Sequence, residues 1–289
     1  TLFPSYFVAM CLIVIAWKTH PKYPLVVLAN RDEFYERLSK PLHWWDDYPN
    51  ILAGRDMADV IGNAGTWCGI NRNGKFATLT NIRSPSEKNP SLRSRGELVF
   101  SYLNSSQPTL DHLKQQTTLL NRYNGFNLIT ADLSSKQPHL YWMSNRSLVQ
   151  GQIKPNSSIA PQALEPGIYG VSNAFLDTPW PKVSQTVGIF AQTLAKDTGD
   201  FKGQDAYLKI MANTKQATDE ELPNTGVSRE WERILSSPFI ATENYGTRAT
   251  TLLRIHESGE YQMFERSFSR TQKYNDACFS GFLEPNDPM

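Results

Sequence analysis

Two apolar runs stand near the start of the chain, residues 11–17 (Cys-Leu-Ile-Val-Ile-Ala-Trp) and residues 25–29 (Leu-Val-Val-Leu-Ala), separated by the turn-like Thr-His-Pro-Lys-Tyr-Pro. They are rich in strand-favouring residues, too short for core helices, and do not alternate with polar residues. Such runs predict two paired strands buried on both faces. A sheet covered on both faces needs structure above and below it, so the chain is committed to layers from its first strand.

The rest of the pattern supplies those layers. Residues 66–70 and 76–80 flank Asn73-Gly74, a pair that tolerates positive φ, which predicts a hairpin closed by a tight primed turn. Further strands are expected at 126–130, 139–142, 167–172, 250–255 and 261–265, the last two joined by Glu257-Ser-Gly-Glu. Amphipathic helices are expected at 95–103, 110–120 and 181–194. In the last of these Val183, Val187, Phe190 and Leu194 repeat at helical spacing behind Pro181, which suits a first turn. Strands at both ends with helices between them suit an α+β fold of antiparallel sheets with helices outside, not a βαβ alternation. No linker-like stretch divides the 289 residues, so residues 10–266 are expected to form one domain. Residues 1–9 lack a positive n-region and read as an extension before a natural start at Met10. After Arg266 the chain turns polar and aperiodic, so residues 267–289 read as a tail or loosely attached segment.

Composition narrows the function. A formal charge of +1, with acids and bases interspersed, gives no reason to expect a nucleic-acid track or an anionic membrane surface as the main partner, which leaves small molecules. No apolar run approaches the roughly 20 residues of a transmembrane span. Cys11, Cys68 and Cys278 lie far apart, odd in number and without CxxC spacing, which argues against a disulfide framework or zinc site and for a reducing cytoplasm. Neither GxxxxGK[ST] nor HExxH occurs, so no metal ligands or phosphate cradle are proposed.

Cys11 follows Met10, and methionine before a small residue is the usual arrangement for removal. A freed α-amine titrates at about 7.7–8.0, low enough to accept a thiol proton near neutrality, so one residue supplies nucleophile and base. The competing reading makes Cys11 a small hydrophobe opening a buried strand. Ala29-Asn30-Arg31-Asp32-Glu33 then ends the second strand in four polar residues. Arg31 beside a thiol stabilises its thiolate, and Asp32 near the amine orients it; the alternative is a solvated loop with a surface ion pair. Asn81 and Asn173 each end an apolar stretch, where an amide can serve a developing oxyanion or simply shape a turn.

Met10-Cys-Leu-Ile, Ala29-Asn-Arg-Asp-Glu, Leu52-Ala-Gly-Arg-Asp, Gly65-Thr-Trp-Cys-Gly-Ile, Thr80-Asn-Ile-Arg, Ser94-Arg-Gly-Glu, Tyr123-Asn-Gly-Phe-Asn-Leu, Gly170-Val-Ser-Asn-Ala-Phe-Leu-Asp-Thr-Pro-Trp-Pro-Lys and Tyr245-Gly-Thr-Arg follow in order. This series resembles the signatures of the NRDE family, also called the transport and Golgi organization protein 2 family, from Met10 to about Arg266. That family in turn resembles the cysteine N-terminal nucleophile (Ntn) hydrolases. The resemblance implies a four-layer αββα sandwich, hydrolysis or transfer of an acyl group from a non-peptide carbon–nitrogen amide bond, and no cofactor for that chemistry. It implies Cys11 as nucleophile with Arg31 beside it, and Asn81, through main-chain amide and side chain, and Asn173 as oxyanion donors; Asp32 joins them as a catalytic candidate, and Asn30 and Glu33 of the same polar run are candidate ligand contacts. Those hydrolases carry an Arg-Asn-x-Asp order where this chain reads Asn30-Arg31-Asp32-Glu33. Arg248 is the candidate for their later active-site arginine, with a structural ion pair as the alternative.

The family's association with heme trafficking, and of its eukaryotic members with lipid homeostasis and secretory organelles, implies a second function: non-enzymatic carriage of heme or a lipid-like ligand. Trp44, Trp45, Trp67 and Trp180 would then face a flat ligand, with His43 or a cysteine toward iron and Arg31 or Arg248 toward a propionate. The same tryptophans also suit ordinary packing.

Overall fold

The computed structural model describes residues 10–58, 65–84, 89–135, 137–150, 152–156 and 159–284, and for Met10 the backbone only. The proposed extension at residues 1–9 lies outside the described residues.

The two opening runs form β1 (Met10–Trp17) and β2 (Leu25–Phe34), antiparallel and paired along their whole apolar length. They lie within a six-stranded sheet with β12 (Gly167–Val171), β13 (Tyr245–Ile255), β14 (Glu260–Phe268) and β15 (Tyr274–Phe282), in the order β12-β1-β2-β13-β14-β15. A seven-stranded sheet holds β3 (Ser39–Trp44), β4 (Ile51–Asp56), β5 (Cys68–Asn71), β6 (Lys75–Asn81), β7 (Phe126–Asp132), β8 (Leu140–Ser144) and β11 (Gln162–Leu164), in the order β11-β8-β7-β6-β5-β4-β3. Every pairing in both sheets is antiparallel. A separate hairpin pairs β9 (Arg146–Val149) with β10 (Gln152–Pro155).

Period-two alternation in β1 explains the layering. Ile13, Ile15 and Trp17 enter a cluster shared by both sheets, including Leu52, Ile70, Phe76 and Ile129 of the second. Leu12, Val14 and Ala16 face the other way, onto α3 (Pro181–Leu194) and α4 (Gln204–Met211) through Val183, Phe190, Leu208 and Met211. On the far side of the second sheet, Ala77, Leu79 and Leu128 pack under α1 (Gly96–Leu103) and α2 (Thr109–Thr117) through Leu98, Tyr102 and Leu113. The order is helix, sheet, sheet, helix: the αββα sandwich. A short α5 (Arg229–Ile234) closes a small cluster with Ile240 and Tyr245.

Two expectations meet a different structure. In the β5–β6 hairpin only Gly74 adopts positive φ, at 90°, and its N–H donates to the Asn71 carbonyl at 3.1 Å. The connection therefore spans Asn71 to Gly74, longer than a two-residue primed turn. The expected tail contains β15, which pairs with β14 from Tyr274 to Phe282 and sends Ala277 and Phe279 into the intersheet core. Its burial is confined to alternate positions, Ala277, Phe279 and Gly281, and Asn275, Asp276 and Ser280 interrupt its apolar residues, so no apolar run marked it.

Candidate active site

Cys11 and Arg31 lie directly opposite each other in the β1–β2 register. Alternation puts both on the intersheet face with Ile13 and Ala29, but at the strand ends, where the apolar filling stops. There a cavity of about 450 Å³ opens, bordered by Cys11, Arg31, Glu33, Trp67 and Asn81. Pairing and pleat alone thus bring thiol and guanidinium to one wall.

The same alternation turns Asn30 and Asp32 to the opposite face. Asn30 Nδ2 donates to the carbonyls of Met211 (2.9 Å) and Pro238 (2.8 Å), and its Oδ1 accepts from Thr250 Oγ1 (2.6 Å). Those bonds tie β2 to the α4 end and to β13, which makes Asn30 a structural residue. Asp32 is fully buried, and its Oδ1 accepts from Thr247 Oγ1 at 2.6 Å. Its Oδ2 has no hydrogen-bond partner among the described residues, and neither has Nζ of Lys182, buried in the first turn of α3. Asp32 stands opposite Met10, beside the point where a freed Cys11 amine would begin.

Burial pushes the Cys11 thiol up to about 12, and the Asp32 charge adds to this, while Arg31 and a hydrogen bond from the Asp32 backbone oppose it. With Met10 attached, Cys11 is therefore a protonated thiol at neutral pH and needs a neighbouring base. Burial raises the Asp32 carboxyl above the usual range, with Lys182, Thr247 and Arg31 opposing. Lys182 moves down for the same cause. Arg31 stacks over Trp67, 4.4 Å from its ring centroid, which fixes the guanidinium plane against the cavity wall.

Asn81 ends β6 at the cavity rim. Asn173 does not border the cavity: it is fully buried, and its Nδ2 donates to the Asn81 carbonyl at 2.9 Å. Its amide therefore holds Asn81 in place instead of facing a substrate. Ser172 Oγ, next to it, donates to the Cys11 carbonyl at 2.8 Å.

The residues grouped for a flat ligand are dispersed, Trp67 and Arg31 excepted. Trp45 is buried under α1, stacked on Phe100 at 5.8 Å. Trp44 lies beneath Arg72, and His43 on β3 keeps Nδ1 2.7 Å from the Pro41 carbonyl. Trp180 sits under Arg83 in a separate small pocket that Lys182 and Glu232 also border. A register shift between Thr247 and Ala249 takes Arg248 out of the β13 ladder. Its Nη1 donates to the carbonyls of Phe34 (2.9 Å), Tyr35 (3.3 Å) and Arg37 (3.1 Å), so Arg248 braces the chain after β2.

Sequence reading assigned no role to several cavity residues. Asp56, which ends β4, meets Arg37 in a bidentate pair at 2.7 to 3.1 Å. Arg93 and Arg95 precede α1 and border the cavity as well. The motifs Leu52-Ala-Gly-Arg-Asp and Ser94-Arg-Gly-Glu carried this signal, but they lie far from Cys11 along the chain and nothing local points their side chains at it.

The profile of the family described as Transport and Golgi organisation 2 matches residues 10–270. The chain belongs to this family. The mouse Transport and Golgi organization 2 homolog is 34% identical over 271 residues, covering 89% of this chain and 93% of the mouse protein. The human homolog is 33% identical over 270 residues, with the same coverage of 89% and 93%. The Drosophila melanogaster Transport and Golgi organization protein 2 is 22% identical over 279 residues, covering 90% and 93%. Among solved structures, a mutant conjugated bile acid hydrolase from Clostridium perfringens aligns over 97% of this chain and 90% of its own, at 10% identity and a TM-score of 0.39. Among the described residues no helix is long and apolar enough to cross a membrane.

Proposed function

We propose that this member of the Transport and Golgi organisation 2 family is an Ntn-type cysteine enzyme that hydrolyses or transfers the acyl group of a non-peptide amide. The observation that carries this reading is the position of Cys11, with its thiol on a cavity wall beside Arg31 and its chain start beside the unpartnered oxygen of Asp32. Removal of Met10 and whatever precedes it releases the α-amine. The thiol proton passes to that amine, and the sulfur attacks the carbonyl carbon. Arg31 lowers the cost of the thiolate, and Asp32 stabilises the ammonium. The carbon–nitrogen bond breaks, the leaving amine takes the proton back from the ammonium, and the thioester passes to water or a second amine. Asn81, held from behind by Asn173, supports the tetrahedral oxyanion.

This chemistry uses only groups of the chain and proceeds without a cofactor. Carriage of heme or a lipid-like ligand finds less support, because Trp67 is the one tryptophan of the proposed set that borders this cavity. A cytoplasmic setting accompanies the proposal, in keeping with three free cysteines. The test is mass spectrometry of a chain starting at Met10, incubated with N-octanoylglycine. The expected result is an N-terminus at Cys11 and an octanoyl adduct on that residue, absent in Cys11→Ser. Amide cleavage by a chain that keeps residues ahead of Cys11, or by Cys11→Ser, overturns the reading.

A further inference from the structure

The wall around Cys11 is more cationic than thiolate formation requires. Four arginines (Arg31, Arg37, Arg93, Arg95) border the cavity against two carboxylates (Glu33, Asp56). Arg37 and Asp56 satisfy each other. Arg93 is paired with Glu97 at 2.5 Å. Glu33 stands 3.8 Å from Arg31 and 3.7 Å from Arg37, beyond hydrogen-bond length, and spends one oxygen on the Phe34 N–H at 2.9 Å. Arg31 and Arg95 are left to account for.

Arg31 is 5% exposed, and its Nη1 is buried with no hydrogen-bond partner among the described residues. Its plane is fixed by Trp67, so the side chain cannot easily swing to find one. Arg95 donates through Nη1 to the Gly125 carbonyl at 3.1 Å. Arg95 borders the same cavity as Cys11, Arg31 and Glu33; burial lowers its affinity for the proton, to about 10, and Glu33 opposes this. A guanidinium has five donors in a rigid fork, and desolvated guanidinium donors left unpaired are costly. Carboxylate and phosphate match that fork, whereas a neutral amide carbonyl offers one acceptor. Leu79, Leu92 and Phe34 complete the wall with an apolar part suited to an acyl chain.

We infer that the cavity contains an anion subsite formed by Arg31 and Arg95, so that its ligand is an acyl amide carrying a carboxylate or phosphate group. This rests on the proposed amide chemistry for the word amide, but the subsite stands or falls by binding alone.

The experiment is isothermal titration calorimetry on the full chain with Cys11→Ser, comparing N-octanoylglycine, its neutral glycinamide analogue and N-octanoyl-phosphoethanolamine. The expected result is about tenfold or tighter binding of at least one anionic compound over the neutral one, weakened by salt. The carboxylate and phosphate arms identify which anion the subsite takes. Arg95→Gln is expected to remove the preference and Arg95→Lys to keep part of it, both with unchanged circular dichroism and thermal midpoint. Equal binding of charged and neutral compounds, or a preference that survives Arg95→Gln, overturns the subsite. Selective binding without cleavage by the chain carrying a free Cys11 sinks the hydrolase reading and leaves the subsite standing.

Discussion

Asp32 Oδ2 and Lys182 Nζ are buried atoms of opposite charge, each favouring the other's ionised form, and neither has a hydrogen-bond partner among the described residues. Asp32 stands opposite Met10 at the start of β1, so release of the Cys11 amine would place new donors next to it. The consequences reach stability, thiol reactivity and helix placement.

Burial holds the Asp32 carboxyl above its unfolded value of 3.8. The folded chain therefore binds its proton at a pH where the unfolded chain has lost it, and stability falls as pH rises between about 4 and about 6. Urea denaturation of wild type and Asp32→Asn across that range is expected to show wild type losing stability relative to the variant. Parallel pH profiles for the two proteins would contradict this.

In a chain that keeps Met10, the raised Cys11 thiol is expected to react slowly with iodoacetamide near neutral pH. Asp32→Asn removes a charge that raises the thiol and is expected to speed alkylation at fixed pH; Arg31→Met is expected to slow it. A Cys278→Ser background removes the exposed cysteine, and mass spectrometry reads the rates. Rates in the opposite order would show that access and not ionisation controls the thiol.

Arg83 and Glu232, each 2% exposed, form an ion pair at 2.5 Å between the chain after β6 and α5. Arg83→Met leaves Glu232 buried without its cation and is expected to cost about 3–5 kcal/mol by chemical denaturation. Adding Glu232→Gln is expected to recover part of that loss. A single-variant cost below about 1 kcal/mol would mean that Thr225, which donates to Glu232 through N and Oγ1, compensates the charge alone.

Gly170 is where α3 packs on β12. A Cβ there would lie 2.6 Å from Val183 Cγ1 and 2.7 Å from Val187 Cγ2, too close to fit without movement. Gly170→Ala is expected to lift α3, and Lys182 with it, at a cost of about 1–3 kcal/mol in denaturation. Val183→Ala in the same chain is expected to return part of the stability, and its failure to do so would place the clash elsewhere.

Much of the fold was legible along the chain. The β1 and β2 runs and the strand at 126–130 declare themselves as short continuous apolar stretches buried on both faces, and α3, with Pro181 at its start, by apolar residues at the helical period. The strands β3 and β15 did not, because only some of their residues are covered, nor did β4, whose apolar residues stop at Ala53; α4 and α5, at eight and six residues, are too short to show a sustained helical repeat.

The sequence by itself determined that Cys11 and the Asn30 to Glu33 run meet, because two apolar strands joined by a short turn can pair in only a few registers. It also determined the layered α+β order. Only the tertiary structure decided which faces those residues take: one pleat step sends Arg31 to the cavity with Cys11 and Asp32 to the helical side with Lys182. It decided as well that Asn173 braces Asn81, that Arg248 braces the chain after β2, and that Arg95 joins the cavity. The reason is physical: pleat direction, bulges and sheet stacking are set by packing against residues far away in the chain, and no local pattern records them.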